Sequence, residues 1–177
     1  MVNDLSSYIR AVPGFPKPGI VFRDITTLLN NPAAFQSALE ALHAPFKQNR
    51  IDKVVGIESR GFIFGALLAN LLHAGFVPAR KPGKLPATVL REDYELEYGH
   101  DAIEIHTGAI RAGEQILVHD DLLATGGTAA ATCRLIERMH GTIVGVSFLI
   151  ELSFLNGRDR LRPYAVHSVI RYDAENE

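Results

Sequence analysis

Val118-His119-Asp120-Asp121-Leu122-Leu123-Ala124-Thr125-Gly126-Gly127-Thr128 is the stretch whose reading decides the fold. The residues leading into it, Ile116 and Leu117 with Val118, form a short apolar run of the kind buried in a parallel sheet. Two adjacent acids follow, then a run of small residues, then a helical pattern over 129–139 closed by Gly141. A strand, a tight turn and a helix in this order make the unit from which α/β sheets are wound. Backbone N–H groups of Thr125, Gly126, Gly127 and Thr128 can form a concavity at the helix N-terminus. A phosphate there gains hydrogen bonds and the positive end of the helix dipole. A side chain at Gly127 is expected to block that approach. Asp120 and Asp121 stand at the carboxyl end of the strand, where open α/β sheets bind ligands. They can accept hydrogen bonds from two ribose hydroxyls and stabilise positive charge on a sugar ring. The stretch reads as a phosphoribosyl-binding site.

Neighbouring motifs are excluded by single residues. A Walker loop needs Lys after its last glycine, and Gly127 is followed by Thr128. A dinucleotide fingerprint needs G-x-G, a spacing found nowhere in the chain. Ser59 is not in a nucleophile elbow, because Ile57 holds the first glycine position. The seven histidines make no H-E-x-x-H and no Cys/His cluster, so no structural zinc site is expected. Cys133 is the one cysteine, which excludes an internal disulfide and suits a small buried hydrophobe.

The remaining sequence is organised around the same unit. Its 177 residues suffice for one domain, and 47% hydrophobic with 21% charged residues is ordinary for a globular enzyme. A net charge of −2 gives no general attraction to nucleic acid or anionic membrane. No signal-peptide pattern appears, and a cytoplasmic location is expected. Helices are expected over about 32–48, with Phe35, Leu39, Leu42 and Phe46 at helical spacing, and over 62–72. Strands are expected over 53–57, 76–79, 102–105, 116–118, 143–149 and 165–169. The alternation predicts an α/β fold with a mainly parallel central sheet flanked by helices, spanning 1–177 as a single domain. The proline-rich start, 13–19, excludes regular helix and central strand.

Two further constellations carry chemistry. Glu58-Ser59-Arg60-Gly61 stands between a strand and an apolar helix, and Arg60 offers a planar fork of donors for phosphate oxygens. From Arg80 to Glu104 the charges are sorted: Arg80, Lys81, Lys84 and Arg91 come first, then Glu92, Asp93, Glu95, Glu97, Asp101 and Glu104. Such a run is either a solvated loop or a lid that closes over a ligand joining pyrophosphate to a developing cation.

Taken together these segments resemble the type I phosphoribosyltransferases. The wording Asp121-Leu122-Leu123-Ala124-Thr125-Gly126-Gly127-Thr128 is that of the branch acting on adenine. Phe15-Pro16-Lys17-Pro18-Gly19-Ile20-Val21-Phe22-Arg23-Asp24-Ile25-Thr26 is similar to the family's N-terminal signature, and Ser59-Arg60-Gly61-Phe62 to its pyrophosphate loop. Arg80-Lys81-Pro82-Gly83-Lys84-Leu85-Pro86 and Tyr94-Glu95-Leu96-Glu97-Tyr98-Gly99 are similar to its catalytic loop. The resemblance implies a type I phosphoribosyltransferase-like fold with a small N-terminal hood over about 1–30 and a mobile catalytic loop over about 81–104. It implies transfer of the 5-phosphoribosyl group of 5-phospho-α-D-ribose 1-diphosphate (PRPP) to adenine, giving AMP and pyrophosphate.

The same resemblance assigns roles residue by residue. Arg60, Lys81 and Lys84 would stabilise the pyrophosphate, with Ser59 and Tyr98 beside them, and Glu97 would manage the proton of the base. Asp120, Asp121 and the loop Ala124 to Thr128 would bind PRPP and AMP. Val21, Phe22 and Leu122 would wall the adenine, whose edge the backbone of Arg23 would read. Mg2+ would be held mainly by the substrate, with Asp120 and Asp121 meeting it through water. A homodimer is implied, with the basic part of the loop often contributed across the interface, and such loops often hold a non-proline cis peptide. Two residues depart from the pattern. Thr27 stands where many members have proline, and His119 stands where an aliphatic residue is usual. His119 is expected to be half-buried with its hydrogen bonds met. Three alternatives stand beside this reading: a transferase for 6-oxopurines or pyrimidines, a non-catalytic regulator on the same fold, and a generic phosphate-binding module.

Overall fold

The computed structural model describes residues 4–95 and 100–175. In chain order the regular elements are β1 (Arg10–Pro13), β2 (Val21–Asp24), α1 (Thr26–Leu29), α2 (Pro32–His43), β3 (Lys53–Ile57), α3 (Gly61–Leu71) and β4 (Gly75–Ala79). There follow β5 (Val89–Glu95), β6 (His100–His106), β7 (Gln115–Leu123), α4 (Gly127–Arg138), β8 (Thr142–Leu152) and β9 (Val166–Tyr172). A 3-10 segment, Gly157–Leu161, lies between β8 and β9.

Five strands make one sheet in the order β4-β3-β7-β8-β9, every neighbouring pair parallel. The apolar runs seen in the sequence explain this, because a parallel sheet is covered on both faces. One face carries α2 and α3, through Leu39, Leu42, Phe64 and Leu68 packed with Leu117 and Leu149. The other carries α4, through Cys133, Leu135 and Ile136 with Val118 and Phe148. Cys133 is wholly buried, and burial pushes its thiol up to about 12. From β3 the chain turns through α3 to the outer strand β4. From β7 it turns the other way, through α4 to β8. The strand order therefore reverses between β3 and β7, and the carboxyl ends of those two strands flank a crevice of the kind that binds ligands in such sheets.

Several boundaries differ from those expected. Helix α2 stops at His43 rather than near 48, because Pro45 has no N–H to continue the ladder and its ring crowds the carbonyl four residues earlier. Strand β7 runs through both acids to Leu123, so the acids lie within the last turns of the pleat and not beyond it. The stretch expected as a loop over about 81–104 is in large part an antiparallel ladder, β5 paired with β6 from Val89↔His106 to Glu95↔His100. Along β5, Arg91, Asp93 and Glu95 face solvent, while Leu90, Glu92 and Tyr94 turn toward α4. The inward acid Glu92 hides the alternation, and Arg134 and Arg138 of α4 neutralise it at 2.6 and 2.9 Å. The N-terminal β1–β2 pair was likewise not foreseen, being short and rich in charge.

The 3-10 segment is held to the sheet by one ion pair. Arg158 donates to the buried Glu151 through Nε at 2.6 Å and Nη2 at 2.7 Å, and through Nη1 to the Val166 carbonyl at 3.0 Å. Burial alone would raise the Glu151 carboxyl, but hydrogen bonds from Arg158 and Ser168 hold it below the ordinary range. Removing the arginine leaves a buried charge unmatched, which costs about 3–5 kcal/mol for a fully buried pair. Arg158 keeps 43% of its side chain exposed, so Arg158→Ala is expected to cost about 2 kcal/mol at neutral pH. Because the folded pKa is depressed, this contribution is present above the unfolded carboxylate pKa of about 4.3 and is lost as pH falls through the folded value. Urea unfolding should therefore show the variant and parent converging in stability below about pH 4. A constant gap between pH 7 and pH 3 would contradict the assignment.

Candidate active site

The crevice is built from the ends of β3 and β7. Residues 58–60 follow β3, and the peptide between Glu58 and Ser59 is cis. Helix α3 then begins at Gly61, against the backbone of the acids. A Cβ on Gly61 would stand 2.9 Å from Asp120 Oδ1 and 3.0 Å from the His119 carbonyl oxygen. That approach brings Arg60 Nε to 2.8 Å from Asp121 Oδ2. The pair is close but poorly aligned, and this buried oxygen accepts no hydrogen bond among the described residues. The Arg60 guanidinium also lies over the Phe22 ring, 4.9 Å from its centroid, which ties the N-terminal pair of strands to the crevice.

Asp121 is 4% exposed, and Asp120 accepts the Asp121 N–H at 2.8 Å. Burial pushes the Asp120 carboxyl well above its ordinary range, and the charge of Asp121 adds to the shift. Burial raises Asp121 as well, with Arg60 opposing. Two carboxylates so placed favour a nearby cation or hydroxyl donor. His119, one residue earlier, faces the opposite side of the sheet. It is wholly buried, not half-buried as expected, and pushed down to about 3 by burial, so its ring is neutral. Its Nδ1 lies 2.9 Å from Ser147 Oγ, while its Nε2 meets no partner among the described residues. Thr27, the other departure, donates to the Tyr8 carbonyl at 2.6 Å.

After Leu123 the chain turns through residues 124–126 into α4. A cavity of 80 Å3 is lined by Asp120, residues 122–129 and Phe148. Gly126 has φ +79°, and α4 begins without a side-chain cap, so its first N–H groups are available to an anion. The steric demand falls on Gly126 rather than Gly127. A Cβ on Gly126 would stand 2.5 Å from the Gly157 carbonyl oxygen, whereas one on Gly127 meets nothing nearer than 3.5 Å. A larger cavity of 560 Å3 lies on the other flank of the helix start, between β5–β6 and α4, with Arg160 at its rim. The smaller one is lined by Asp120 and the loop and is the candidate site, with Asp121 adjoining it in the chain.

The basic residues each meet a carboxylate. Glu58 accepts from Lys84 Nζ at 3.0 Å, the Lys81 N–H at 2.9 Å and Arg80 Nε at 3.2 Å. Burial would raise Glu58, but these donors hold it below its ordinary range. Lys81 Nζ pairs with Asp101 and donates to Tyr94 Oη at 2.6 Å. Glu58, Tyr94 and Asp101 had been given no role in the sequence; the lysine side chains they meet are 13 to 26 residues away, and no local pattern marks them. Glu97 and Tyr98 lie outside the described residues.

Strand β2 places the remaining residues. Gly14 N–H donates to the Ile20 carbonyl at 2.8 Å, which makes that pair hydrogen-bonded. Antiparallel pairs alternate, so Pro13↔Val21 and Ala11↔Arg23 are the non-bonded ones. The N–H and C=O of Val21 and Arg23 thus point away from β1, and the Val21 N–H donates to Glu175 at 2.6 Å. Pro13, without an N–H, fits its position for the same reason. The Arg23 side chain is buried over the Tyr172 ring, 3.8 Å from its centroid. Among the described residues no group of three or more His, Cys, Asp or Glu is placed to hold a metal ion, and no helix is long and apolar enough to cross a membrane.

Comparison with known proteins agrees with this geometry. The phosphoribosyl transferase domain family matches residues 24–173. Adenine phosphoribosyltransferases of Christiangramia forsetii and Gloeobacter violaceus are 54% and 59% identical to this chain. The first match covers 96% of this chain and 99% of that protein, the second 89% and 92%. The crystal structure of the adenine phosphoribosyltransferase of Rhodothermus marinus is similar with a TM-score of 0.92 at 56% identity, over 95% of this chain and 96% of that one. That of Saccharomyces cerevisiae, complexed with an imino-altritol bisphosphate and adenine, has a TM-score of 0.88 at 42% identity, over 93% and 96%.

The loop geometry sets two alanine variants apart. Gly126→Ala should weaken AMP binding at least about tenfold, the loss of one hydrogen bond to a charged group. Gly127→Ala, with room for its Cβ, should stay within about threefold, since a few tenths of a kcal/mol change affinity by no more. Equal affinities by calorimetry in two folded variants would refute the assignment.

Proposed function

The chain belongs to the phosphoribosyltransferase family, and we infer that it transfers the 5-phosphoribosyl group of PRPP to adenine, forming AMP and releasing pyrophosphate. One observation carries the reading. A pair of acids, Asp121 buried and Asp120 half-buried, and an uncapped glycine-rich helix start share the carboxyl end of β7, in a chain 54% identical over nearly its whole length to an adenine phosphoribosyltransferase.

The residues divide the work by charge. Backbone N–H groups of residues 124–128 hold the 5-phosphate at the positive end of α4. Asp120 and Asp121 accept from the ribose hydroxyls and stabilise the positive charge that grows on the ring as the bond from C1 to pyrophosphate breaks. Arg60, Lys81 and Lys84, with Ser59, neutralise the leaving pyrophosphate. The bond that forms joins adenine N9 to C1, and Glu97 takes the proton the base gives up, help typically worth about 10²–10⁴ in rate. Tyr98 and the segment over about 81–104 close on the donor and exclude water, which would otherwise hydrolyse it. No nucleophilic Ser or Cys is needed in this displacement.

A magnesium ion fits this donor set as an ion brought by its substrate. The described residues form no cage of three ligands, and Mg2+ is commonly bound by one or two carboxylates together with substrate phosphates. Asp120 and Asp121 would hold it through water, and it would supply Lewis-acid neutralisation of the pyrophosphate. The reading includes a single domain with the hood over about 1–30, a homodimer and a cytoplasmic location.

For the base, Val21, Phe22 and Leu122 form apolar walls, and the backbone of Arg23 reads the edge: its C=O accepts from the 6-amino group and its N–H donates to N1. The outward direction of both groups in β2 supports this. Hypoxanthine and guanine present the reverse pattern, and a site built for one pattern rejects the other by about 10⁴–10⁵.

AMP formation measured with a panel of bases tests the function. Adenine should exceed hypoxanthine and guanine by about 10⁴ in kcat/KM, and use of either within tenfold of adenine would sink the reading. In the same assay Asp120→Asn and Asp121→Asn should each lower kcat about tenfold or more, because they remove charge beside the developing cation. Parental turnover in the double variant would remove the acids from the mechanism.

A further inference from the structure

Tyr94 stands where the two halves of the donor site meet, and the function above gives it no task. Its side chain is 5% exposed, on the face of β5 that packs on α4. Its ring edge, at Cδ2, comes within 3.5 Å of where a Cβ on Gly127 would stand, against the first turn of that helix. Its hydroxyl has three partners. Thr128 Oγ1 lies at 3.0 Å, Lys81 Nζ at 2.6 Å and Asp101 Oδ2 at 3.2 Å.

The proton inventory leaves one assignment. A phenol has one proton and two lone pairs, an ammonium only donates and a carboxylate only accepts. Lys81 therefore takes one lone pair of Tyr94, and Asp101 takes its proton. The remaining lone pair accepts the hydroxyl proton of Thr128. All the capacity of the phenol is used, and each bond has a fixed direction. Thr128 closes the loop read as the 5-phosphate site, which relies on backbone N–H groups, so its hydroxyl is free to serve Tyr94. Lys81 belongs to the cations read as holding pyrophosphate.

We propose that Tyr94 is a positioning residue: its hydroxyl ties Lys81 to the phosphate loop through Thr128. It thereby sets the separation of the two anion-binding halves that one donor molecule must span. A ligand joined across two subsites gains affinity from the second only when their spacing matches the linker. A ligand that fills one half gains nothing from that spacing. The proposal rests on the phosphoribosyl transfer reading for the identity of the two halves.

The test uses Tyr94→Phe, which keeps the buried ring and removes only the hydroxyl. Binding of PRPP with Mg2+ and no base, of AMP alone, and of inorganic pyrophosphate with Mg2+ is measured by calorimetry on the intact protein. The expected result is a loss of about tenfold for PRPP, the scale of one hydrogen bond to a charged group, with AMP and pyrophosphate each within about twofold. A parallel loss for all three ligands would mean that Tyr94 only supports the fold, and unchanged PRPP binding would mean that it sets no spacing. Either result overturns the proposal. Thr128→Val supplies the second arm. Its loss for PRPP and that of Tyr94→Phe should combine to less than their sum in the double variant, since they break one chain of bonds, and additive losses would also overturn it. Failure of the underlying reading looks different, because the parent protein itself would then bind neither PRPP nor AMP.

Discussion

A close backbone approach between the loop after β7 and the segment after β8 governs the site. A Cβ on Gly126 would meet the Gly157 carbonyl oxygen at 2.5 Å, and a Cβ on Gly157 would meet the Ala124 carbonyl oxygen at 2.1 Å. Neither position tolerates a side chain, and Gly126 in addition sits at φ +79°. With the loop braced from behind, α4 can start immediately after it and leave its first N–H groups without a side-chain cap. The brace is itself anchored, because residue 157 adjoins Arg158, whose pairing with Glu151 fixes the segment to β8. A loop that must leave its donors open to an anion cannot use them to hold its own shape. Here the shape is imposed by packing from outside.

The crevice draws its parts from three directions, and Arg60 joins them. It follows β3, reaches Asp121 of β7 and lies over Phe22 of β2. The reversal of strand order between β3 and β7 makes this possible, since it lets two loops rise side by side with no helix between them. The β1–β2 pair is thus tied to the acid pair by a cation and an aromatic ring rather than by main-chain pairing with the sheet.

Legibility in the sequence followed the range of the forces involved. The parallel strands and α4 were readable because each is signalled within ten or so residues, by an apolar run or by periodicity. Asp120, Asp121 and the small-residue loop were readable for the same reason, as was Arg60 beside Gly61. Strand β5 was not, because Glu92 occupies an inward position that only the distant Arg134 and Arg138 make acceptable. The steric demand at Gly126 was not legible, since the obstacle, Gly157, is 31 positions further along and belongs to another turn. His119 looked half-buried because a histidine ordinarily needs both ring nitrogens satisfied, and the sheet interior satisfies only one through Ser147. Glu58, Tyr94 and Asp101 act through partners that the fold alone brings close.

The pairing of cations with acids around the crevice also bears on how a charged molecule arrives. Arg60 faces Asp121, Arg80 and Lys84 share Glu58, and Lys81 faces Asp101. Four cations against three carboxylates project little field beyond the crevice, and a Debye length of about 8 Å at physiological salt erases most of what is left. A polyanion diffusing past is therefore scarcely steered inward, and its rate of capture varies little with ionic strength. Discrimination among anions is deferred to short range, where a newcomer must displace a carboxylate that is already paired with the cation. Abundant monovalent anions, with one charge to offer, are poorly equipped to do that.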